Sequence, residues 1–417
     1  MRFHHLNIGV CICLTSCYEE VLIDEVDTGV FELSVSPEMQ NFLYRSKDTA
    51  YTVQDPDLML IFQDRRTALR EIRVRGRTTL DYRRKSFGVK LNKPIFILDR
   101  EGKAYKELHR FKLISLSMDY CYMNNRLAFG MLEQVGVMQL FYRYVHFYIN
   151  GENQGVYLLV EDPEQYFLEQ GSEYILRRDY HHGIEDSEYE PRQYNIPRDT
   201  YKARFREIYE LLPDLQGEAL FQALDQRVDL THYFRKMGID FLLKNGDFTD
   251  EVFFYSQLRQ GHISFRIIPW DYDDIFSTYP HEVGRSWGIG KQFGNRSYDT
   301  QQDIYDEIGE KMVFSIEDDL DYAIARDSFL YARYEQSLSE WLEEIKPGDV
   351  DALFDRLEKE LGPYYLEEEV ITQSQYDLHP TSPEQWQANM AEKRIQIKDR
   401  LEMMKVRLQK TNNQQDP

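Results

Sequence analysis

The chain has 417 residues, 42% of them hydrophobic and 14% aromatic, a globular composition with length enough for a sizeable core. Its formal net charge of -22 argues against a nucleic-acid partner, which needs clustered Lys and Arg against phosphates. The exception is residues 64–90, where Arg65, Arg66, Arg70, Arg73, Arg75, Arg77, Arg83, Arg84, Lys85 and Lys90 gather. A basic patch that short suits a small anion, such as a nucleotide's phosphates, better than a long polyanion.

Read in chain order, the N-terminus carries Arg2, then an apolar run from Leu6 to Leu14, then Thr15-Ser16-Cys17. The run is too short to span a bilayer but fits a signal-peptide core. Small residues directly before a Cys resemble a bacterial lipobox, which implies cleavage before Cys17 and lipid attachment to its thiol. Of the four cysteines only Cys17 and Cys121 would then remain, so no disulfide framework is expected and Cys121 reads as a small buried residue.

Val30 to Val35 alternates as a strand. Ala68 to Arg75 alternates apolar and charged residues at period two, a half-buried strand that Gly76 ends. Ser86 to Leu91 alternates again and is expected to pair with it antiparallel, and Phe111 to Leu116 supplies a third strand. Asn125 to Val135 has helical spacing, with Asn124 or Asn125 as N-cap and Gly136 as the stop. Strands Tyr142 to Tyr148 and Gly155 to Glu161 flank Asn150-Gly151, a strong hairpin signal. Helices follow over 198–212 and 220–244, then strands Val252 to Tyr255 and Phe265 to Pro269. Beyond about Asp299 the chain reads as amphipathic helix, ending in one long helix from Pro383 to Lys410. The class is α+β, with an antiparallel sheet and helices and a helical C-terminal extension.

Three stretches carry candidate chemistry. In Pro269-Trp270-Asp271-Tyr272-Asp273 a buried strand runs out into two carboxylates two residues apart, which project alike because the strand period is two. Hard oxygens so placed suit Mg²⁺ or Mn²⁺, although an isolated pair of this kind is more often a helix cap. In Lys244-Asn245-Gly246-Asp247 a helix ends in a polar loop bearing Asp247 before a new strand, and Asn-Gly-Asp is also an ordinary turn. Arg73 to Thr79 and Lys85 to Leu91 form a basic hairpin with a Gly turn and hydroxyls, suited to phosphate or simply to solvent.

Taken together, R-x-R-G-x-T-T, K-S-F-x-x-K-L, N-R-L-A-F, Y-I-N-G-E-x-x-G-V-Y-L-L-V-E-D, N-G-D, I-P-W-D-Y-D and the helical D-L-D-Y-A-I-A-R-D stretch after Asp319 resemble the CotH spore-coat kinase family over roughly residues 65–345. The resemblance implies an atypical protein-kinase-like core that binds ATP with Mg²⁺ or Mn²⁺ and phosphorylates Ser or Thr of a protein. It implies Asp247 as the catalytic-loop Asp and Asp271 as metal ligand, with Asp273 and Glu251 in support. It also implies Lys85 or Lys90 on the nucleotide phosphates, with Arg75, Thr78 and Glu161 lining that site. One departure stands out: family members often carry Asn where this chain has Asp250 and Glu251.

The expected organisation is a lipoprotein signal peptide at 1–17, a tether with the first strand at 18–50, the kinase-like core at 51–298, and a helical extension of the same domain at 299–417. The expected location is the cell envelope, lipid-anchored at the periplasmic face or the cell surface, with an exported or surface protein as substrate. Two other functions fit the same residues. One is an inactive surface scaffold; the other is nucleotidyl transfer to a protein hydroxyl at the same metal site.

Overall fold

The computed structural model describes residues 29–48, 51–53, 59–62, 65–76, 78–82, 84–98, 104–179, 183–186, 195–246, 252–280, 306, 308–365 and 382–415. Seven strands close a barrel: β1 (Gly29–Ser34), β2 (Met59–Phe62), β3 (Arg65–Arg75), β4 (Ser86–Leu98), β5 (Ala104–Ile114), β6 (Tyr142–Ile149) and β7 (Glu152–Glu161). They lie in the order β1-β2-β3-β4-β5-β7-β6. Every neighbouring pair is antiparallel except the closing one, β1 with β6, where Phe31 lies beside Phe147. The expected antiparallel sheet is therefore a closed barrel with one parallel seam, which removes both exposed edges.

Alternation decides which side chains fill it. Phe31, Ile72, Val74, Phe87, Val89, Phe111, Leu113, Phe147 and Leu159 are buried together inside, while Arg73, Arg75, Gly88, Lys90 and Lys112 fall between them in sequence and face outward. Val156, Leu158 and Val160 on the outer face of β7 pack into a second core shared with the helices. The β6–β7 turn takes positive φ at Asn150 and Gly151 (50° and 78°), which an Asn-Gly pair adopts at low cost.

Helix α1 (Pro37–Arg45) follows β1, and α2 (Asn124–Gln134) crosses between β5 and β6. After β7 come α3 (Pro163–Glu169), β8 (Ile175–Asp179), β9 (Gly183–Asp186), α4 (Arg198–Glu210), α5 (Gly217–Asp225) and α6 (Leu230–Leu243), then the hairpin β10 (Val252–Arg259) and β11 (His262–Ile268). These last strands form a small sheet in the order β11-β10-β8-β9. The single helix expected over 220–244 is two, because Asp229 caps α6 through the His232 N–H and the chain turns there.

The C-terminal part contains α7 (Asp319–Arg326), α8 (Ser328–Glu344), α9 (Pro347–Tyr365) and α10 (Pro383–Gln415). Gly238 of α6 lets α8 approach closely: a Cβ there would lie 2.6 Å from Leu338 and 2.8 Å from Trp341. Among the described residues no helix is long and apolar enough to cross a membrane.

Candidate active site

The acidic turn begins where β11 runs out. Asp271 takes a left-handed conformation, φ 57°, unusual for any residue but Gly and tolerated best by Asp and Asn. The turn is held from two sides. On the α2 side the Tyr272 N–H donates to Asn125 Oδ1 at 3.0 Å, and Asn124 Nδ2 donates to the Asp273 carbonyl at 2.8 Å. On the α6 side the N–H groups of Phe276 and Ser277 donate to the carbonyls of Leu243 and Lys244 at 2.7 and 3.1 Å. In return the Gly246 N–H donates to the Asp274 carbonyl at 2.9 Å. Carbonyls at a helix C-terminus lack intrahelical partners, so the turn caps α6.

The ring of Tyr272 is fully buried, edge-on to Phe129 at 6.1 Å. Asp271 and Asp273 are half-buried. Thus the acidic turn and the end of α6 through Gly246 form one hydrogen-bonded unit, closed at Gly246, where a Cβ would meet Asp274 Oδ2 at 2.3 Å. Among the described residues no group of three or more His, Cys, Asp or Glu gathers around a metal position. Asp247 and Glu251 lie outside the described residues.

Beside this unit lies Asp119, in the loop between β5 and α2. Burial pushes its carboxyl up to about 7, with the neighbouring Asp273 adding to the rise against the backbone N–H groups of Asn124, Cys121 and Met123.

On the outer face of the barrel, register sets Arg73 opposite Gly88, Gly88 opposite Lys112 and Lys112 opposite Val160. Gly88 leaves room for the stems of Arg75 and Arg73, at 3.3 and 3.5 Å from where its Cβ would be. Lys112 is 4% exposed, and its Nζ meets Asp162 at 3.0 Å. Burial first, then Arg75, lowers Lys112 to about 8, although Asp162 and Glu164 pull the other way. Burial would raise Asp162, but Lys112 and Arg110 outweigh it and hold its carboxyl well below the usual range. Asp162 also caps α3 through the Gln165 N–H at 3.2 Å.

The other anticipated nucleotide residues are engaged locally. Lys90 is paired with Glu71. Lys85 is buried with its ammonium on the Leu80 carbonyl. Glu161 is buried, paired with Lys106 at 2.6 Å, and accepts from the Phe141 N–H at 3.1 Å. Arg75 ends β3, opposite Ser86. Thr78 lies in a 3-10 turn, Thr78–Asp81, its side chain outside the described residues, as is Cys17. Sequence reading passed over Lys112 because Phe-Lys-Leu is an ordinary half-buried strand. No local signal marked it, because its place opposite Gly88 is set by strand register.

Residues 72–404 match the family described as CotH kinase protein. The chain belongs to that family. The inner spore coat protein H of Bacillus subtilis (strain 168) is similar to it, 24% identical over 230 residues. Those residues make up 51% of this chain and 60% of that protein, so the chain spans about three fifths of the relative's length. The CotH match runs through α9 and into α10, so the C-terminal helices belong to the family's common body.

Proposed function

We propose that this CotH-family chain is a protein kinase of atypical kind, transferring the γ-phosphate of ATP to Ser or Thr of an exported or surface protein. The observation that carries the reading is the hydrogen-bonded union of the acidic turn with the end of α6, which leads directly into Asp247. Phosphoryl transfer rests on positioning and charge stabilisation, and the reading is supported by the bonds that hold this carboxylate turn to the residues preceding Asp247. Asp271 and Asp273 offer two hard-oxygen carboxylates on one turn, the donor set that suits Mg²⁺ or Mn²⁺ sharing its shell with substrate phosphates. Glu251 is the further ligand on this reading. The divalent ion supplies neutralisation of the ATP phosphates.

Asp247 is the residue that orients the attacking hydroxyl and accepts its proton. For the phosphate cation the buried Lys112, held by Asp162, is the strongest candidate, because its ion pair fixes the ammonium in place. Lys85, on the Leu80 carbonyl, and Lys90, paired with Glu71, are the other candidates. Arg75 stands next to Lys112 and adds positive charge to the same face. Export with a lipid on Cys17 is part of the proposal, consistent with the spore-coat name of the relative.

Asp250 and Glu251, acidic where the family often has Asn, favour a second reading, a surface-binding protein without transfer activity. The test incubates the purified chain with Mg²⁺ or Mn²⁺, a Ser-rich protein, and ATP labelled at the α or the γ position. Acceptor label from the γ position alone is expected. Label from the α position would replace the kinase with a nucleotidyl transferase, and no label with no metal-dependent nucleotide binding would leave the scaffold.

A further inference from the structure

The C-terminal helix α10 reaches back 158 residues in sequence to the end of α6. Arg400 Nε donates to the Leu242 carbonyl at 2.7 Å, Nη2 donates to the Phe241 carbonyl, and the guanidinium lies over the Phe241 ring at 4.9 Å. Both carbonyls belong to the last turn of α6, where the helix dipole presents its negative end. The next two carbonyls, of Leu243 and Lys244, accept from Phe276 and Ser277 of the acidic turn. The last turn of α6 is therefore shared between Arg400 and the acidic turn.

A further contact binds α10 to the same place. Lys393 Nζ lies 4.6 Å over the ring of Phe276, the residue whose N–H meets Leu243. Behind them, Lys398 and Arg394 of α10 pair with Asp351 and Asp355 of α9 at 2.9 and 2.7 Å. Trp386, Met390, Ile397, Leu401 and Met404 bury the inner face of α10, so the helix is fixed in the core while Arg400 acts at its edge. Among the described residues Arg400 has no carboxylate partner, and all its hydrogen bonds go to the carbonyls of α6. Burial lowers it to about 10, which leaves it charged at neutral pH.

We propose that Arg400 is a positioning residue for the acidic turn, which makes the C-terminal helix a working part of the site. The proposal rests on the kinase reading for its catalytic consequence, but its structural half can be tested without activity. The full chain is compared with Arg400→Ala, Arg400→Lys and Arg394→Ala, the last removing a bridge on the same helix away from α6. Amide exchange is followed by mass spectrometry in peptides spanning 241–246 and 272–280, with peptides from β6 and β7 as reference. Arg400→Ala is expected to speed exchange in both windows at least tenfold, with the β6 and β7 peptides unchanged.

Arg400→Lys, which keeps a donor and the charge, is expected to restore part of the protection, and Arg394→Ala none of the effect. In the γ-label assay Arg400→Ala is expected to lower kcat about tenfold or more with KM for ATP within twofold. Unchanged exchange in the two windows, or the same change in Arg394→Ala, overturns the proposal. So does faster exchange with kcat intact in an active wild type. If the wild type transfers no phosphate, the kinase reading fails by itself and the exchange result alone decides whether Arg400 positions the turn.

Discussion

Replacing Asp162 with Asn separates the charge of the buried ion pair from the capping role of the same residue. Asn keeps an oxygen for the Gln165 N–H, so α3 keeps its cap. What disappears is the negative charge 3.0 Å from Lys112. Lys112 stands at about 8 instead of 10.5, a difference of roughly 3 kcal/mol against its charged form. Without Asp162 its ammonium keeps Arg75 as a like-charged neighbour with Glu164 alone against it, and removing one partner of a buried pair costs about 3–5 kcal/mol. That is a large share of a stability of about 5–15 kcal/mol.

The signs follow from the two shifts. Lys112 is depressed in the folded chain, so its burial penalty is complete below about pH 8 and is released as pH rises toward 10.5, and stability from this group rises across that window. Asp162 is depressed as well, so its contribution is complete above 3.8 and is lost as pH falls below it. Urea denaturation at pH 7 should show Asp162→Asn less stable by about 3 kcal/mol, with the gap narrowing by about pH 9.5 as Lys112 loses its proton. A loss below about 1 kcal/mol at pH 7, or a gap equal at both pH values, would refute the buried pair.

Two further substitutions probe the acidic turn. Asn125→Ala leaves the Tyr272 N–H buried without its acceptor, which costs about 1–3 kcal/mol and is expected to weaken Mn²⁺ binding measured by calorimetry. Intact Mn²⁺ affinity would separate α2 from the site. Gly246→Ala places a Cβ 2.3 Å from Asp274 Oδ2 and 2.9 Å from Ser277. Overpacking of this kind costs about 1–3 kcal/mol, and the expected outcome is a lower thermal midpoint together with loss of metal-dependent nucleotide binding.

Local chemistry explains what could be read from the sequence. Alternation gave β3 and β4, and the Asn150-Gly151 pair marked the hairpin of β6 and β7, whose φ angles are positive as that turn requires. Helical spacing from Asn125 gave α2 to within a residue. The acidic turn and Asp247 were singled out by residue type and order. Barrel closure was out of reach, because β1 meets β6 across more than a hundred residues and no local pattern encodes that pairing. Strand β2 is four residues long, too short for its alternation to stand out. The state of the lysines was hidden for the same reason: Lys90 with Glu71, Lys85 on Leu80 and Lys112 with Asp162 are set by register and by the barrel's outer face. Arg400 lies in a helix that reads as a solvated amphipathic segment, and only packing shows which carbonyls it meets.

The central claim is that the turn carrying Asp271 and Asp273 is the metal-binding half of the site. Asp271→Asn tests it cleanly, because Asn tolerates the left-handed backbone that Asp271 adopts and removes only the charge. Mn²⁺ binding in the presence of ATP, followed by the electron paramagnetic resonance of the free ion, is predicted to weaken at least tenfold in Asp271→Asn with an unchanged thermal midpoint. Equal Mn²⁺ affinity in the two proteins would contradict the claim.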